Sequence, residues 1–418
     1  MLEKTTFALR GHILHTPTPR AIVCMPESYL VCEEGKTAGV FTELPERFKG
    51  IPVEDCGDRL VIPGLVDLHL HAPQYSFRAL GMDLELLDWL NTHTFPEEAK
   101  YADPAYAGRA YRIFADDLAA SPTTRAAVFG TIHRPATELL MDLIEETGVR
   151  ALVGKVNMDR NSPDILREES AAASLEDTAR WISETKGKYR NVAPILTPRF
   201  TPSCTDELME GLGKLQRATG LPVQSHLSEN FSEIAWVKEL CPWSGCYGGA
   251  YDRFGLFGGD APTIMAHCVH STGEEIDLMQ ARGVFIAHCA QSNTNLASGV
   301  APVRAYLDRT IAEAKEKGYA ETMFGRKRHI PELKAANATQ RRAHGHEPPH
   351  AGQRGRHHQA GHDRGAAPHH GARLRGEAAV AGARRAGLQR AGRRDRGAVG
   401  HRERRDGAHR GSARASRR

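Results

Sequence analysis

Two histidines at the end of an apolar run are the residues of this chain best suited to chemistry. His69 and His71 close the segment VIPGLVDLHLH, which reads as a β-strand. Side chains on a strand alternate between its two faces, so residues i and i+2 point the same way. The two imidazoles therefore project together, in the way that zinc needs from nitrogen ligands at about 2.0–2.1 Å. Taken alone, the pair could equally be strand histidines that face water.

The segments around this pair predict how it is positioned. From residue 61 onward, apolar runs alternate with helical stretches, which is typical of a parallel α/β fold. The strand-like runs are 61–70, 126–132, 150–157, 192–198, 221–226, 263–268 and 284–289. The helical stretches are 104–120, 135–147, 174–187, 205–218, 230–240 and 273–282. The seven strand-like runs predict a (β/α)₈-type barrel that lacks its last strand, and barrels of this kind carry their chemistry at the carboxyl ends of the strands.

Several segments together resemble one family. PGLVDLHLHAPQYSF resembles the first barrel strand of the amidohydrolase superfamily. The supporting segments, in family order, are LLDWLNTHTFP (86–96), VGKVNMD (153–159), ILTPRFTPSC (195–204), QSHLSEN (224–230), IMAHCVH (264–270) and FIAHCAQSN (285–293). The resemblance covers about residues 8–308. The TPRF and SHLSEN segments make it similar to guanine deaminases in particular.

The resemblance implies a centre with one zinc ion per chain. His69 and His71 match the family's first two ligands, and His226 matches the third. Glu229 matches the proton shuttle, although a glutamate at a helix start is ordinarily a partner of the helix dipole. His267 matches the histidine that orients the attacking water, with a core histidine as the alternative.

The resemblance also implies a small purine as substrate. Gln74, Arg199 and Phe200 match the family's guanine contacts: an amide, a guanidinium donor and an aromatic face. The implied reaction converts guanine and water to xanthine and ammonia, and another aminopurine or a pterin is the competing substrate. In such a site, buried polar groups form hydrogen bonds with the correct ring. When another ring binds, these groups are left unpaired, and this cost lets the site discriminate between substrates.

Lys155 bears on the number of metal ions. Some amidohydrolases bridge two metals with a carboxylated lysine from the fourth strand, whereas Lys155 lies on the third run, so one metal is predicted.

The family's strand-eight aspartate ligand has no counterpart here. Asp308 lies in a helical stretch with no strand before it and is not a substitute. We therefore expect weak or no activity and poor solubility from this chain.

Four segments are predicted: a partial β-sandwich (1–60), the incomplete barrel (61–308), a fragment resembling family A DNA polymerases (309–337) and a disordered tail (338–418). The tail contains no Phe, Tyr, Trp, Ile, Met, Cys or Lys. Such a composition cannot bury enough apolar surface to offset the entropy of ordering. Read from the second base of each codon, residues 341–364 can encode a further polymerase-like segment. The hypothesis is a fused coding sequence that is then read out of frame.

The composition limits the partners and the compartment. The net charge of +4 comes from the tail, so it does not indicate an acidic partner for the barrel. We expect no specific nucleic-acid partner, although the arginine-rich tail would attract nucleic acid in a salt-dependent way. The eight cysteines form no CxxC pair, and no signal peptide or apolar run long enough for a membrane is found. The prediction is a cytoplasmic protein with reduced thiols, no membrane contact and, as in intact relatives, the option of a homodimer.

Overall fold

The computed structural model describes residues 6–18, 21–321 and 327–329. The predicted tail (338–418) lies outside the described residues, as do 322–326 and 330–337 of the predicted polymerase-like fragment.

Strands and helices alternate through most of the chain. The strands are β1 (Phe7–Thr18), β2 (Ala21–Glu33), β3 (Lys36–Phe41), β4 (Val53–Val61), β5 (Leu65–His71), β6 (Thr123–Phe129), β7 (Arg150–Gly154), β8 (Val156–Asn157), β9 (Val192–Pro194), β10 (Thr197–Pro198), β11 (Val223–Leu227), β12 (Thr263–His267), β13 (Phe285–Ala287), β14 (Tyr319–Glu321) and β15 (Lys327–His329). The α-helices are α1 (Leu86–Trp89), α2 (Phe95–Ala99), α3 (Pro104–Ala120), α4 (Arg134–Thr147), α5 (Ala171–Thr185), α6 (Asp206–Thr219), α7 (Phe231–Leu240), α8 (Tyr247–Asp252), α9 (Gly273–Arg282), α10 (Ala290–Asn295) and α11 (Val303–Lys317).

The N-terminal segment forms a four-stranded sheet in the order β3-β2-β1-β4. β1 pairs antiparallel with β2 and parallel with β4. Ala8 and Leu9 pack into different apolar clusters, because neighbouring residues of a strand face opposite sides of the sheet. This sheet forms within the segment for which a partial β-sandwich (1–60) is predicted.

The barrel is built from parallel strands in chain order. β5, β6, β7 and β9 form one sheet, β8 pairs with β10, and β11, β12 and β13 form another sheet. A bridge between Leu196 and Val223 joins the β9–β10 segment to β11. Inward-facing apolar residues from these strands fill the interior, among them Ala127, Ile195 and Ile264. The parallel α/β fold predicted from the alternating pattern is confirmed.

Helices cover the outside of the parallel strands. α3, α4 and α5 pack their apolar faces on β6 and β7, with Tyr111, Leu140 and Trp181 fully buried between them. α6, α8 and α9 cover β11 and β12 in the same way. These apolar faces repeat at helical spacing, which is why the sequence predicted the helices close to their observed bounds.

A slot separates the first and last barrel strands. Within the described part of the chain, no strand pairs with both β5 and β13. A cleft of about 820 Å³ lies there instead, lined by β5 from Leu65 to His71 and by residues 286–292. Leu65 and Val66 are about half exposed on this open edge.

The residues after the barrel form α11 and the antiparallel hairpin β14–β15. Asp308 lies in α11, exposed and paired with Arg304 at 3.6 Å, as its helical context predicted. Among the described residues, the helices are too short or too polar to cross a membrane. All eight cysteines are described, and each is a free thiol.

Candidate metal centre and active site

Three histidines from two barrel strands converge at the carboxyl ends of the strands. His69 and His71 end β5, and His226 lies near the end of β11. Their ring centroids are 4.8–5.1 Å apart. One ligand atom from each lies within 4.8 Å of the other two. The i, i+2 spacing on β5 therefore aims both imidazoles at the same centre as His226.

The hydrogen bonds of these imidazoles suit a metal. His226 Nδ1 donates to the carbonyl oxygen of Arg199 at 2.6 Å, which leaves Nε2 as the free ligand atom. That Nε2 lies 3.1 Å from His71 Nε2, and the buried Nδ1 of His71 has no partner. Burial and the neighbouring imidazoles lower the pKa of His69 and His71. Neutral imidazoles with facing lone pairs are what a shared divalent cation requires.

His267 approaches the centre from the neighbouring strand β12. Its backbone has a φ of 70°, a left-handed conformation that costs energy in a residue with a side chain. His267 Nδ1 contacts Asn293 Oδ1 at 2.8 Å and Glu229 Oε1 at 3.3 Å. The turn and the amide together hold this imidazole against the carboxyl of Glu229.

Glu229 occupies the turn between β11 and α7. It is almost fully buried, and burial raises the pKa of its carboxyl to about 8. Ser298 Oγ donates to Glu229 Oε1 at 3.4 Å. Glu233 accepts from the backbone N–H groups of Glu229 and Asn230 and so fixes the turn. A carboxyl that can hold or release a proton near neutral pH has the properties of a general acid–base group.

Arg199 is held by a carboxylate that the sequence did not reveal. Its Nη1 and Nη2 donate to the two carboxylate oxygens of Glu98, at 2.5 and 3.1 Å. Both side chains are almost fully buried, and Gln74 Nε2 donates to the same carboxylate at 3.3 Å. A bidentate pair fixes the plane of the guanidinium. Arg199 has five N–H donors, so several remain for another partner.

Phe200 and Tyr251 fix the wall of the pocket. Phe200 is buried beside Trp236, with ring centroids 6.3 Å apart. Tyr251 OH donates to the carbonyl oxygen of His226 at 2.9 Å and accepts from the backbone N–H of Thr201 at 3.1 Å. This phenol, from α8, therefore ties the TPRF loop to the strand that carries His226.

The structure brings all the predicted site residues together. One cavity of about 220 Å³ is lined by His69, His71, Gln74, Arg199, Phe200, His226, Glu229 and His267. Lys155 lies elsewhere, fully buried and paired with Glu168 at 2.5 Å. Asp308 does not line this cavity, and His288 is exposed.

Sequence reasoning missed Glu98 and Tyr251. Glu98 lies 101 residues from its partner Arg199, in a short helix that matches no motif. The one available signal was that Glu98 lies on the buried side of this helix, because buried carboxylates need a partner. Tyr251 gave no signal, because it lies between the predicted helical stretches 230–240 and 273–282 and in none of the segments that resemble the family.

Comparisons with known proteins agree with this geometry. A model of the amidohydrolase family matches residues 60–345. The chain is 44% identical over 256 residues to a probable guanine deaminase of Schizosaccharomyces pombe and 44% identical over 260 residues to a guanine deaminase of Dictyostelium discoideum. These alignments cover 60% and 62% of this chain. The chain belongs to the amidohydrolase family, whose members generally use a divalent metal.

A solved structure shows the same similarity. The guanine deaminase of C. acetobutylicum with bound guanine superposes with a TM-score of 0.71 and 49% sequence identity, over 73% of this chain and 72% of that one. The match to the two curated relatives spans only 48% and 57% of their lengths.

Proposed function

We propose that this chain is a zinc-dependent aminohydrolase that converts guanine and water to xanthine and ammonia. The observation that carries the proposal is the single cavity in which three convergent imidazoles, a buried carboxyl and a fixed guanidinium meet. The similarity to a guanine-bound structure supports guanine over other aminopurines and pterins.

One zinc ion would be held by His69, His71 and His226. Three protein ligands with an open fourth position are typical of catalytic zinc. When bound, the ion would supply Lewis acidity that lowers the pKa of a water molecule toward about 7. The pairing of Lys155 with Glu168 supports one ion rather than two, because this amine is engaged away from the centre.

Glu229 would move the protons. Its buried carboxyl would take one proton from the attacking water and deliver it to the ring nitrogen, and would then transfer the second proton of that water to the amine, which leaves as ammonia. His267, placed 3.3 Å from Glu229, would orient the water by hydrogen bonding.

Arg199, Gln74 and Phe200 would bind the purine. The guanidinium donors that Glu98 leaves free would pair with acceptors on the ring, and the Gln74 amide can both donate and accept. Phe200 would contribute an apolar aromatic face. A ring that lacks matching acceptors would leave these buried donors unpaired, which supports discrimination against other aminopurines.

The direct test is ammonia and xanthine release from guanine by zinc-loaded protein. We expect slow release that Glu229→Gln abolishes and that Glu207→Gln, an exposed carboxylate on α6, leaves unchanged. Guanine binding should be lost in Arg199→Ala. Absence of release both from this chain and from a version with a complete family C-terminal barrel strand would contradict the substrate assignment. Preference for another aminopurine or a pterin would identify the competing activity.

We further propose that the barrel is incomplete, with seven strands, and that residues 309–337 derive from a polymerase-like sequence followed by a tail read out of frame. The open slot between β5 and β13 supports the first point. An open barrel leaves unpaired strand edges, so weak activity and poor solubility are expected. Sequencing the gene across the codons near Asp308 tests the fusion: a smooth continuation into a strand that ends in aspartate would contradict it.

The proposed setting is the cytoplasm, which the free thiols support. The proposal includes a small purine substrate, no specific nucleic-acid partner and no membrane contact, and a homodimer as an option.

A further inference from the structure

Cys289 lies beside the histidine centre and plays no part in the proposed reaction. It follows the end of β13 and is partly buried. It lines both the candidate active-site cavity and the slot between β5 and β13. A metal ion that entered through the slot would therefore meet this thiol.

Cys289 forms a second group of potential ligands with two histidines. The sulfur of Cys289 and one ring nitrogen each of His69 and His267 lie within 4.8 Å of one another. Tetrahedral coordination at zinc-like bond lengths places such atoms roughly 3.3–3.6 Å apart. Because 4.8 Å is the upper bound on these separations, the group needs to contract by at most roughly 1.5 Å to enclose an ion.

The hydrogen bonds leave these side chains able to coordinate. His267 Nδ1 is engaged with Asn293 Oδ1, so its Nε2 keeps a lone pair. The Cys289 sulfur has a weak contact, at 3.4 Å, with the carbonyl oxygen of Ala287.

His69 belongs to both groups of ligands. A neutral imidazole carries a proton on one ring nitrogen and has one lone pair to offer. His69 can therefore serve one ion at a time, either with His71 and His226 or with His267 and Cys289.

We propose that His69, His267 and Cys289 form a second, sulfur-containing metal position that is an alternative to the three-histidine position. Thiolate ligands favour soft metal ions, so thiophilic ions such as Cd²⁺ take this position. On binding, the Cys289 thiol loses its proton to solvent and a metal–sulfur bond forms, with no change of oxidation state. The proposal does not depend on guanine being the substrate.

Cadmium titration of the full chain tests the proposal, with thiolate-to-metal charge-transfer absorption in the ultraviolet as the readout. Cys24→Ser in all samples removes the exposed thiol. We expect the signal to saturate at one ion per chain and to weaken by about tenfold or more in Cys289→Ser and in His267→Ala. It should persist in His71→Ala, because His71 belongs to the other group. Circular dichroism of each variant shows whether it is folded.

Cys268→Ser is the matched control. Cys268 also follows the end of a barrel strand and is buried, but its sulfur contacts the carbonyl oxygen of Met265 at 3.5 Å and is not in the cluster. We expect this variant to keep the full signal. An unchanged signal in folded Cys289→Ser would overturn the proposal. Loss in His71→Ala would also overturn it, because Cys289 would then be a further ligand of the three-histidine ion.

Discussion

The charge of Arg199 is balanced inside the protein before any substrate arrives. Glu98 accepts two hydrogen bonds from its guanidinium, and Gln74 donates to the same carboxylate. Gln74 and Arg199, which line the cavity, are therefore fixed to each other through Glu98. Such a network orients the remaining donors of Arg199, so Glu98 is a positioning residue for the guanidinium.

Replacing Glu98 should destabilise the protein strongly. Glu98→Ala leaves a buried guanidinium without its carboxylate, and we expect a loss of about 3–5 kcal/mol in the free energy of unfolding. The adjacent Glu97→Ala is the control, because Glu97 pairs with the half-exposed Lys100. We expect it to lose about 1–2 kcal/mol. Urea denaturation measures both values, and equal losses would contradict the role given to the buried pair.

A site residue could be predicted from the sequence when the pattern that marks it lies within a short segment of the chain. His69 and His71 could be predicted because strand alternation alone places two imidazoles on one face. The positions of His226 and Glu229 came from a short segment that resembles a family. Glu98 could not be predicted, because its role depends on a partner 101 residues away that only the folded barrel brings near.

The turn from β11 into α7 is the element that positions the carboxyl of the site. Asn230 is the N-cap of α7, and its side chain accepts from the backbone N–H of Ser232 at 2.8 Å. Glu233 completes a capping box and accepts a hydrogen bond from Tyr247 OH at 2.8 Å. A capping box satisfies the free N–H groups of a helix start, so Glu229 is held on a rigid turn.

Glu233 should make stability depend on pH. Burial raises its pKa from 4.5 to about 7 in the folded protein. The folded state then binds more protons than the unfolded state between these values, so stability is fully present below pH 4.5 and falls as pH rises to about 7. Glu233→Gln should remove part of this decline, on the order of 3 kcal/mol. Urea denaturation at pH 5 and pH 8 measures it, and an identical pH slope in both proteins would count against the assignment.

At the level of elements, the sequence predicted most of the barrel. The apolar runs and helical stretches coincide with the observed strands and helices because each buries one face at its own period. The break of the fourth run into β9 and β10 was not predicted, since it depends on which neighbour each half pairs with.

At the level of the whole molecule, the main difference from a closed barrel is the slot between β5 and β13. A closed barrel has no free strand edges, whereas among the described strands β5 is paired on one side only, next to the candidate metal centre. The sequence predicts that the eighth strand is missing, and this stays a prediction. It also predicted that His69, His71 and His226 converge, but it could not predict the packing across the barrel interior that holds them together.

The open edge should be visible in hydrogen exchange. β7 is paired on both sides, with β6 and β9, while β5 is paired with β6 alone among the described strands. We expect backbone amides of residues 65–71 to exchange faster than those of residues 150–154, because unpaired N–H groups lack protection. Mass spectrometry of peptic fragments measures both. Equal protection would mean that another segment covers the slot.

The proposed function depends most on one cation being bound by the imidazoles of His69, His71 and His226. Elemental analysis and competition with a chelator measure zinc content and affinity in the same samples. We predict one zinc per chain, with affinity falling by about 100-fold or more in His71→Ala and in His226→Ala. His133→Ala, which removes a partly buried histidine outside the cavity, should bind zinc as tightly as the unmodified chain. Full zinc affinity in both His71→Ala and His226→Ala would contradict the central claim.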